Sequence, residues 1–151
     1  MIADQVVIAL ADAPTIDRDG LHRTNLRLLS DVFARLDPMP DVCLVDGFAL
    51  GPGAVPHRAI TGGDRTSAAI AAASVIAKVT RDRVMANVVA TSYPQYGFEE
   101  HMGYATARHR QAIVRHGPSP VHRRSFASAA YAAFTELHSA RETSSARSRG
   151  A

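Results

Sequence analysis

Apolar residues form short continuous runs in some segments of the chain and helical repeats in others. Residues 6–11 and 42–45 are β-prone runs that predict buried strands, and residues 57–61 are a third, shorter candidate. Between the first two runs, apolar residues recur at helical spacing over residues 21–36, which predicts an amphipathic helix. Strands that alternate with helices indicate an α/β domain with parallel strand pairing.

The second half of the chain is predicted to be mainly helical. A long alanine-rich helix over residues 66–89, with Thr66 or Ser67 as its N-cap, is expected to pack an apolar face on the sheet. That face comprises Ala69, Ala72, Val75, Ile76 and Val79. Downstream, the pattern predicts a loop over residues 93–103, then helices over residues 105–116 and 125–138.

Composition describes a globular protein with one folded domain, residues 1–139, and a polar, basic tail, residues 140–151, that is predicted to be disordered. No apolar run is long enough to span a bilayer, and the single Cys43 excludes an internal disulfide. We therefore expect a cytoplasmic protein that does not contact membranes. The formal net charge of +3 and the pI of about 9.5 are compatible with a polyanionic partner.

Two aspartates follow predicted strands at positions suited to a ligand site. Asp46 ends the second strand, and Asp64 lies between Gly62-Gly63 and the long helix. Ligands of open α/β sheets gather at the carboxyl ends of the strands, and paired carboxylates are typical of Mg²⁺ or Mn²⁺ sites. Taken singly, each aspartate is equally well explained as a turn or helix cap.

The long helix carries complementary polar groups. Ser74, Lys78 and Arg81 are spaced i, i+4, i+7, within a stripe of about 60° on an α-helix. A hydroxyl, an ammonium and a guanidinium in line can hold a phosphate backbone. The alternative is a solvated helix face with a Lys78–Asp82 ion pair.

A third group is rich in aromatic and histidine residues. It begins with the run from Tyr96 to Tyr104, in which an exposed tyrosine between glycine turns could stack on a sugar or base. The histidines do not show the tight spacing of a zinc site. His109 and His116, seven residues apart on one predicted helix, are interpreted as surface residues.

These groups, in this order, resemble bacterial ribonuclease HII, which cleaves RNA within RNA–DNA hybrids. The resemblance covers most of the chain and rests on Leu44-Val45-Asp46-Gly47, Gly63-Asp64, residues 71–82, Tyr96-Gly97-Phe98, residues 101–109 and residues 122–126.

The resemblance implies an RNase H-like α/β fold with three layers and a mixed sheet. It implies that Asp46 and Asp64 are catalytic metal ligands for Mn²⁺ or Mg²⁺, and that the nucleic acid is bound by Ser74, Lys78, Arg81 and Tyr104. The implied reaction is two-metal hydrolysis that leaves a 3′-hydroxyl and a 5′-phosphate. Its substrates would be RNA–DNA hybrids or duplex DNA containing ribonucleotides, and no obligate protein partner is implied.

The sequence departs from the family pattern at two places. Met102 stands where the family usually has lysine, and the family's opening Asp-Glu pair and Gly-Arg-Gly turn have no counterpart. Asp12 does not match the position of the absent aspartate. We therefore expect a partial catalytic domain without its first strands, in which cleavage is impaired.

Two other functions remain open from the sequence. The chain could be a non-catalytic module that binds RNA–DNA hybrids through the basic stripe and Tyr104. An unrelated α/β phosphate-binding domain is disfavoured because no glycine-rich phosphate loop is present.

Overall fold

The computed structural model describes residues 4–126 and 129–148, without side-chain detail from residue 140 onward. The chain divides into two compact units, with the boundary between Arg81 and Asp82. Each unit is built around its own apolar cluster. Within the described ranges, no helix is both long and apolar enough to cross a membrane.

The first unit contains a parallel strand pair. Strand β1 (Cys43–Asp46) lies beside β2 (His57–Ile60), with Cys43 opposite His57 and Asp46 opposite Ile60. Burial alternates along β1, so that Cys43 and Val45 point into the core. The predicted α/β class with parallel pairing is confirmed.

Two helices precede this pair, α1 (Ala13–Asp19) and α2 (Leu21–Phe33). The amphipathic helix predicted over residues 21–36 is confirmed as α2, although it ends at Phe33. Its apolar side contributes to the core of this unit, which consists of Phe33, Cys43, Val45 and Leu50 with Leu26, Leu29, Val32, Leu36, Ala54 and Val55 packed around them. Burial also raises the pKa of the Cys43 thiol, which is consistent with an unreactive core residue.

The predicted strand over residues 6–11 is wrong. Val6, Ile8 and Leu10 are 53%, 37% and 59% exposed, and in the described part of the chain only β1 and β2 form a sheet. A strand is stabilised by its ladder partner, and β-propensity alone does not provide one. Asp12, at the end of this segment, instead caps α1 by accepting a hydrogen bond from the Thr15 N–H at 2.9 Å.

The predicted long helix is divided. A single turn, α3 (Gly63–Thr66), precedes α4 (Ala68–Val84), and a π-helical segment (Met85–Val89) leads into α5 (Ala90–Ser92). The proposed apolar face does not pack on the sheet: Val75, Ile76 and Val79 are exposed, as are Ala69 and Ala72. Ile70 is the one residue of α4 that is buried. Two four-residue strands offer too little surface to cover a helix of 17 residues.

The second unit is helical around a small aromatic core. Its further elements are a 3₁₀ turn (Pro94–Tyr96), α6 (Phe98–His101), α7 (Ala107–His116) and α8 (Ala129–Ser148). The core residues are Ala90, Tyr96, Phe98, Ile113 and Ala130. The helix predicted to end at Gly117 is confirmed as α7, whereas the segment predicted as loop contains the 3₁₀ turn and α6.

Helix α8 continues through residues 140–148, where the sequence predicts a disordered tail. That prediction was based on low hydrophobicity, which indicates that the segment has little apolar surface to bury in a core. Helix propensity acts independently of packing, and residues 140–147 include alanine, arginine and glutamate, which favour helix. Extending an existing helix also avoids the cost of nucleation. The last part of the predicted tail, residues 149–151, lies outside the described residues.

Candidate functional site

The carboxylate of Asp46 is fixed by the backbone that leads into α3. Asp46 is the last residue of β1, and its Oδ1 accepts a hydrogen bond from the Gly63 N–H at 2.8 Å. The Gly47 N–H continues the ladder by donating to the Ile60 carbonyl at 3.0 Å. Because Asp64 directly follows Gly63, this bond brings the two predicted carboxylates into one neighbourhood, and both residues are exposed.

Two adjacent glycines make this close approach possible for different reasons. Gly62 has a φ of 63°, in the left-handed region that glycine occupies without strain. Gly63 instead has no room for a side chain. A Cβ there would lie 2.5 Å from Ile70 Cδ1 and 3.4 Å from both Asp46 Oδ1 and Ile60 Cβ.

The basic stripe lies on a continuous α-helix. Ser74, Lys78 and Arg81 all belong to α4, so the i, i+4, i+7 spacing places them along one side. Ser74 and Lys78 are exposed, and Arg81 is half-buried. Their binding of nucleic acid stays a prediction.

Tyr104 combines an exposed ring with a firmly held backbone. The residue is 48% exposed. Its N–H donates to the His101 carbonyl at 2.8 Å, while its own carbonyl accepts from the Thr106 N–H at 2.8 Å and lies 3.0 Å from His109 Nδ1. The two preceding residues, Met102 and Gly103, both have left-handed backbone, with φ of 49° and 79°. This turn presents the tyrosine ring to the surface of the second unit.

Comparison with known proteins identifies the relatives of this chain. A sequence model of the family described as Ribonuclease HII matches residues 3–129. The chain belongs to the ribonuclease HII family. Membership assigns it the RNase H-like α/β fold.

Individual members of the ribonuclease HII family agree with this assignment. The Ribonuclease HII of Frankia alni is 42% identical over 134 residues, which are 84% of this chain and 55% of that protein. The proteins of the same name from Frankia casuarinae and Xanthobacter autotrophicus are 47% identical over 131 residues and 48% identical over 123 residues. These alignments cover 86% and 82% of this chain, and 53% and 49% of the relatives. The chain thus spans about half the length of the curated relatives it matches.

The donor set for the divalent metal of a ribonuclease HII is incomplete among the described residues. Asp46 and Asp64 supply carboxylate oxygens, the ligand type that Mg²⁺ and Mn²⁺ prefer. Across residues 4–126 and 129–148, however, no three His, Cys, Asp or Glu side chains are grouped to hold a metal ion. Two carboxylates, one of them already bound to the Gly63 N–H, fall short of a two-metal site.

His57 anchors the loop that follows Asp46, a role that the sequence analysis did not assign. Its Nδ1 lies 2.8 Å from the Val55 carbonyl, which can only accept, so Nδ1 carries the proton. Its Nε2 then accepts from the Leu50 N–H at 2.9 Å. Because Leu50 is buried in the core of the first unit, these bonds attach the loop to that core.

Three histidines near Tyr104 are buried, and the interpretation of His109 as a surface residue is wrong. His101, His109 and His122 are only 6%, 6% and 7% exposed, whereas His116 is exposed. Their rings pack against the core residue Phe98, at centroid distances of 5.5–5.7 Å.

Hydrogen bonds link two of these imidazoles in series. His122 Nδ1 accepts from the Ser119 N–H at 3.0 Å and lies 2.7 Å from Ser119 Oγ, while its Nε2 lies 2.9 Å from His109 Nε2. Burial lowers the pKa of His122 to about 4, with a further contribution from His109. Burial also lowers the pKa of His109. Both imidazoles are therefore neutral at pH 7.

A sequence signal for the burial of His109 does exist. His109 precedes the apolar Ile113 by four residues, so both side chains share one face of α7, and both are buried. The distance of seven residues between His109 and His116 suggested a common face but did not identify which face is buried. Helical spacing relative to an apolar residue is the better guide.

Proposed function

We propose that this chain is part of an endoribonuclease that cleaves the RNA strand of RNA–DNA hybrids and ribonucleotides embedded in DNA, leaving a 3′-hydroxyl and a 5′-phosphate. The observation that carries the proposal is the Asp46–Gly63 hydrogen bond, which holds the Asp46 carboxylate against the residue before Asp64 in a chain of the ribonuclease HII family. The relatives that match most of this chain carry the same name.

In this proposal Asp46 and Asp64 are catalytic metal ligands, for Mg²⁺ or Mn²⁺. Because the described donors are too few, further oxygen ligands have to complete the site in the active enzyme. The chain's own contribution is then to hold the Asp46 carboxylate beside the residue that precedes Asp64. Gly63 does so through its backbone N–H, and its missing side chain permits the approach.

Binding is assigned to two surfaces, one in each unit. Ser74, Lys78 and Arg81 would hold phosphate groups through charge-assisted hydrogen bonds. The exposed Tyr104 ring would pack on a sugar or base, and contacts to the 2′-hydroxyl would distinguish RNA from DNA.

Binding is tested by fluorescence anisotropy with an RNA–DNA hybrid, a DNA duplex and an RNA duplex of equal length. We expect the hybrid to bind most tightly. Tyr104→Ala should weaken hybrid binding by roughly tenfold, the lower range for loss of one stacking contact, while Tyr104→Phe retains the ring and most of the affinity. Equal affinity for all three duplexes would refute hybrid recognition.

Cleavage is tested on a duplex that carries a single ribonucleotide, in Mg²⁺ and in Mn²⁺. The 151-residue protein alone should remain close to background, because two carboxylates do not complete the site. The same chain preceded by the N-terminal segment of a curated relative should cut 5′ to the ribonucleotide. Asp46→Asn and Asp64→Asn in that longer protein should abolish cleavage, because each removes a proposed ligand.

Two different results would contradict the proposed metal ligands or the proposed cleavage. Strong Mn²⁺-dependent cleavage by the 151-residue protein would show that no further ligands are needed. Tight hybrid binding without cleavage by the longer protein would instead support a non-catalytic binding module.

A further inference from the structure

We propose that His122 and His109 are positioning residues for Tyr104, and that the neutral tautomers of the two imidazoles fix the hydrogen bond that holds its carbonyl. The proposal rests on the proposed function in one respect, namely that the Tyr104 ring binds nucleic acid. The positioning itself follows from hydrogen-bond chemistry within the second unit.

Both ends of the His122–His109 pair are fixed by groups with only one possible role. At one end, the Ser119 N–H can only donate, so His122 Nδ1 must be an unprotonated acceptor. At the other end, the Tyr104 carbonyl can only accept, so His109 Nδ1 must carry a proton. The outer protonation states of the pair are therefore set by the backbone.

The contact in the middle then has one consistent solution. The two Nε2 atoms are 2.9 Å apart, a distance that requires one proton between them. Neutral His122, with Nδ1 unprotonated, carries its proton on Nε2, and neutral His109, with Nδ1 protonated, accepts on Nε2. Hydrogen bonds thus run in one direction from Ser119 through both imidazoles to the Tyr104 carbonyl.

A second proton on either imidazole is incompatible with this arrangement. If His109 were charged, two N–H groups would face each other across the 2.9 Å contact. His122 could not relieve this by moving its proton to Nδ1, because that atom faces the Ser119 N–H. If His122 were charged, Nδ1 would carry a proton toward the same N–H. A charged His109 breaks the contact between the two imidazoles, and a charged His122 breaks the contact with Ser119, so either protonation displaces the pair although His109 Nδ1 still carries a proton toward the Tyr104 carbonyl.

The groups that surround His109 and His122 favour the neutral form of both imidazoles. The titratable or charged groups that face it are His101 on α6, Tyr96 in the 3₁₀ turn, Tyr131 on α8, and Arg124. None of these four is a carboxylate that would stabilise an imidazolium. The His101 ring stacks on His109 at a centroid distance of 4.5 Å, and Tyr96 lies 4.9 Å from His122.

His101 fixes the other side of the same turn. Its Nε2 lies 2.8 Å from the Tyr96 carbonyl and therefore carries its proton, so its Nδ1 accepts from the Gly103 N–H at 3.1 Å. The Gly103 N–H and the Tyr104 carbonyl are thus both bound to buried imidazoles. Losing the His109 bond would leave the Tyr104 carbonyl held by the Thr106 N–H, which allows the ring to move without unfolding the unit.

The first experiment reads the protonation states directly in the 151-residue protein. A long-range proton–nitrogen correlation NMR spectrum at neutral pH should show His109 protonated on Nδ1 and His122 protonated on Nε2. The amide signals of Gly103, Tyr104 and Thr106 should shift together with the His122 signal as the pH is lowered. The opposite tautomer of either histidine, or amide signals that ignore the His122 titration, would overturn the proposal.

The second experiment separates positioning from general destabilisation with a double-mutant cycle. His122→Phe keeps an aromatic ring but removes both nitrogens, and it should weaken hybrid binding about as much as Tyr104→Ala does, roughly tenfold. In the Tyr104→Ala background, His122→Phe should have no further effect on affinity, because it acts through that ring. His122→Gln, whose amide can donate near the position of Nε2, should recover part of the affinity. Ile113→Ala, a buried change on α7 that leaves the pair intact, is the matched control and should not alter affinity.

The proposed function and the positioning of Tyr104 can be refuted separately. If the wild-type protein does not prefer the hybrid, the proposed function is wrong, while the NMR spectra still decide the positioning of Tyr104. If the protein binds the hybrid but His122→Phe weakens binding equally with and without Tyr104, the positioning role is wrong and the proposed function stands.

Discussion

Replacing Gly63 with alanine should destabilise the first unit because of a single atom of Ile70. A Cβ on residue 63 would lie 2.5 Å from Ile70 Cδ1, well inside van der Waals contact. Ile70 is 5% exposed, so its terminal methyl group cannot turn into solvent without leaving the core. The contacts to Asp46 Oδ1 and Ile60 Cβ, both 3.4 Å, are tight but tolerable.

Two opposing terms determine the magnitude. Replacing a helical glycine by alanine stabilises a protein by about 0.4–1 kcal/mol, since it reduces the freedom of the unfolded chain. Overpacking a buried site costs about 1–3 kcal/mol. We therefore expect Gly63→Ala to lower the free energy of unfolding by about 1–2 kcal/mol, with the overpacking term larger.

Ile70→Val isolates the cause, because it deletes the clashing Cδ1 and little else. Alone it should cost about 0.5–1.5 kcal/mol. In its background the steric term for Gly63→Ala is absent and only the favourable entropy term remains. The effect of the alanine should thus change sign, which gives a coupling energy of about 1–3 kcal/mol between the two positions.

Native-state hydrogen exchange of the β1 and β2 amides is the suitable assay, because it measures local opening free energy. Tyrosine fluorescence would not report on this unit, since all four tyrosines lie beyond residue 81. Equal effects of Gly63→Ala in the wild-type and Ile70→Val backgrounds would refute the steric argument.

Three further predictions address the charged and titrating groups. His122 has an ordinary pKa of 6.5 when unfolded and about 4 when folded, so its stabilising effect is complete above pH 6.5 and is lost toward pH 4. Urea denaturation followed by tyrosine fluorescence should show the second unit losing about 3 kcal/mol over that interval, and unchanged stability would contradict a buried neutral imidazole. Lys78→Ala and Arg81→Ala should each weaken hybrid binding and reduce the dependence of affinity on salt by about one ion, and an unchanged slope would assign the stripe to a solvated helix face. Asp46→Asn keeps an acceptor for the Gly63 N–H and should leave the sheet amides protected from hydrogen exchange. Asp46→Ala removes that acceptor and should lower the local opening free energy by about 1 kcal/mol. Equal protection in both variants would contradict a stabilising role of this hydrogen bond.

The sequence predicts best where the residue pattern itself determines the local structure. The apolar residues between Leu21 and Leu36 recur at helical spacing. Helix α2 forms there and contributes its apolar side to the cluster of the first unit. Asp46 was expected at the end of a strand, and it is the last residue of β1, where its carboxylate accepts from the Gly63 N–H just before Asp64. In both cases the deciding interaction is short in sequence or follows directly from parallel strand geometry.

The sequence predicts least where burial depends on a distant partner. Residues 6–11 have strand composition but no ladder partner within the described chain, and Val75 on α4 has an apolar side chain with no surface to cover it. His109 shows the reverse error, since a residue interpreted as lying on the surface is buried against the rings of Phe98 and His101. Periodicity identifies which residues share a face, but it does not establish what covers that face.

The candidate functional side chains and the residues that position them differ in burial, and this affects how loss of function should be interpreted. Asp46 and Tyr104 are exposed, whereas Gly63, His109 and His122 are buried and make their decisive contacts to or through backbone atoms. A change at a buried position will therefore lower stability whether or not it moves the functional group. Loss of binding alone cannot separate these causes. The separation comes from repeating the change where the exposed partner is already removed: an effect that persists there reflects folding, and one that disappears reflects positioning.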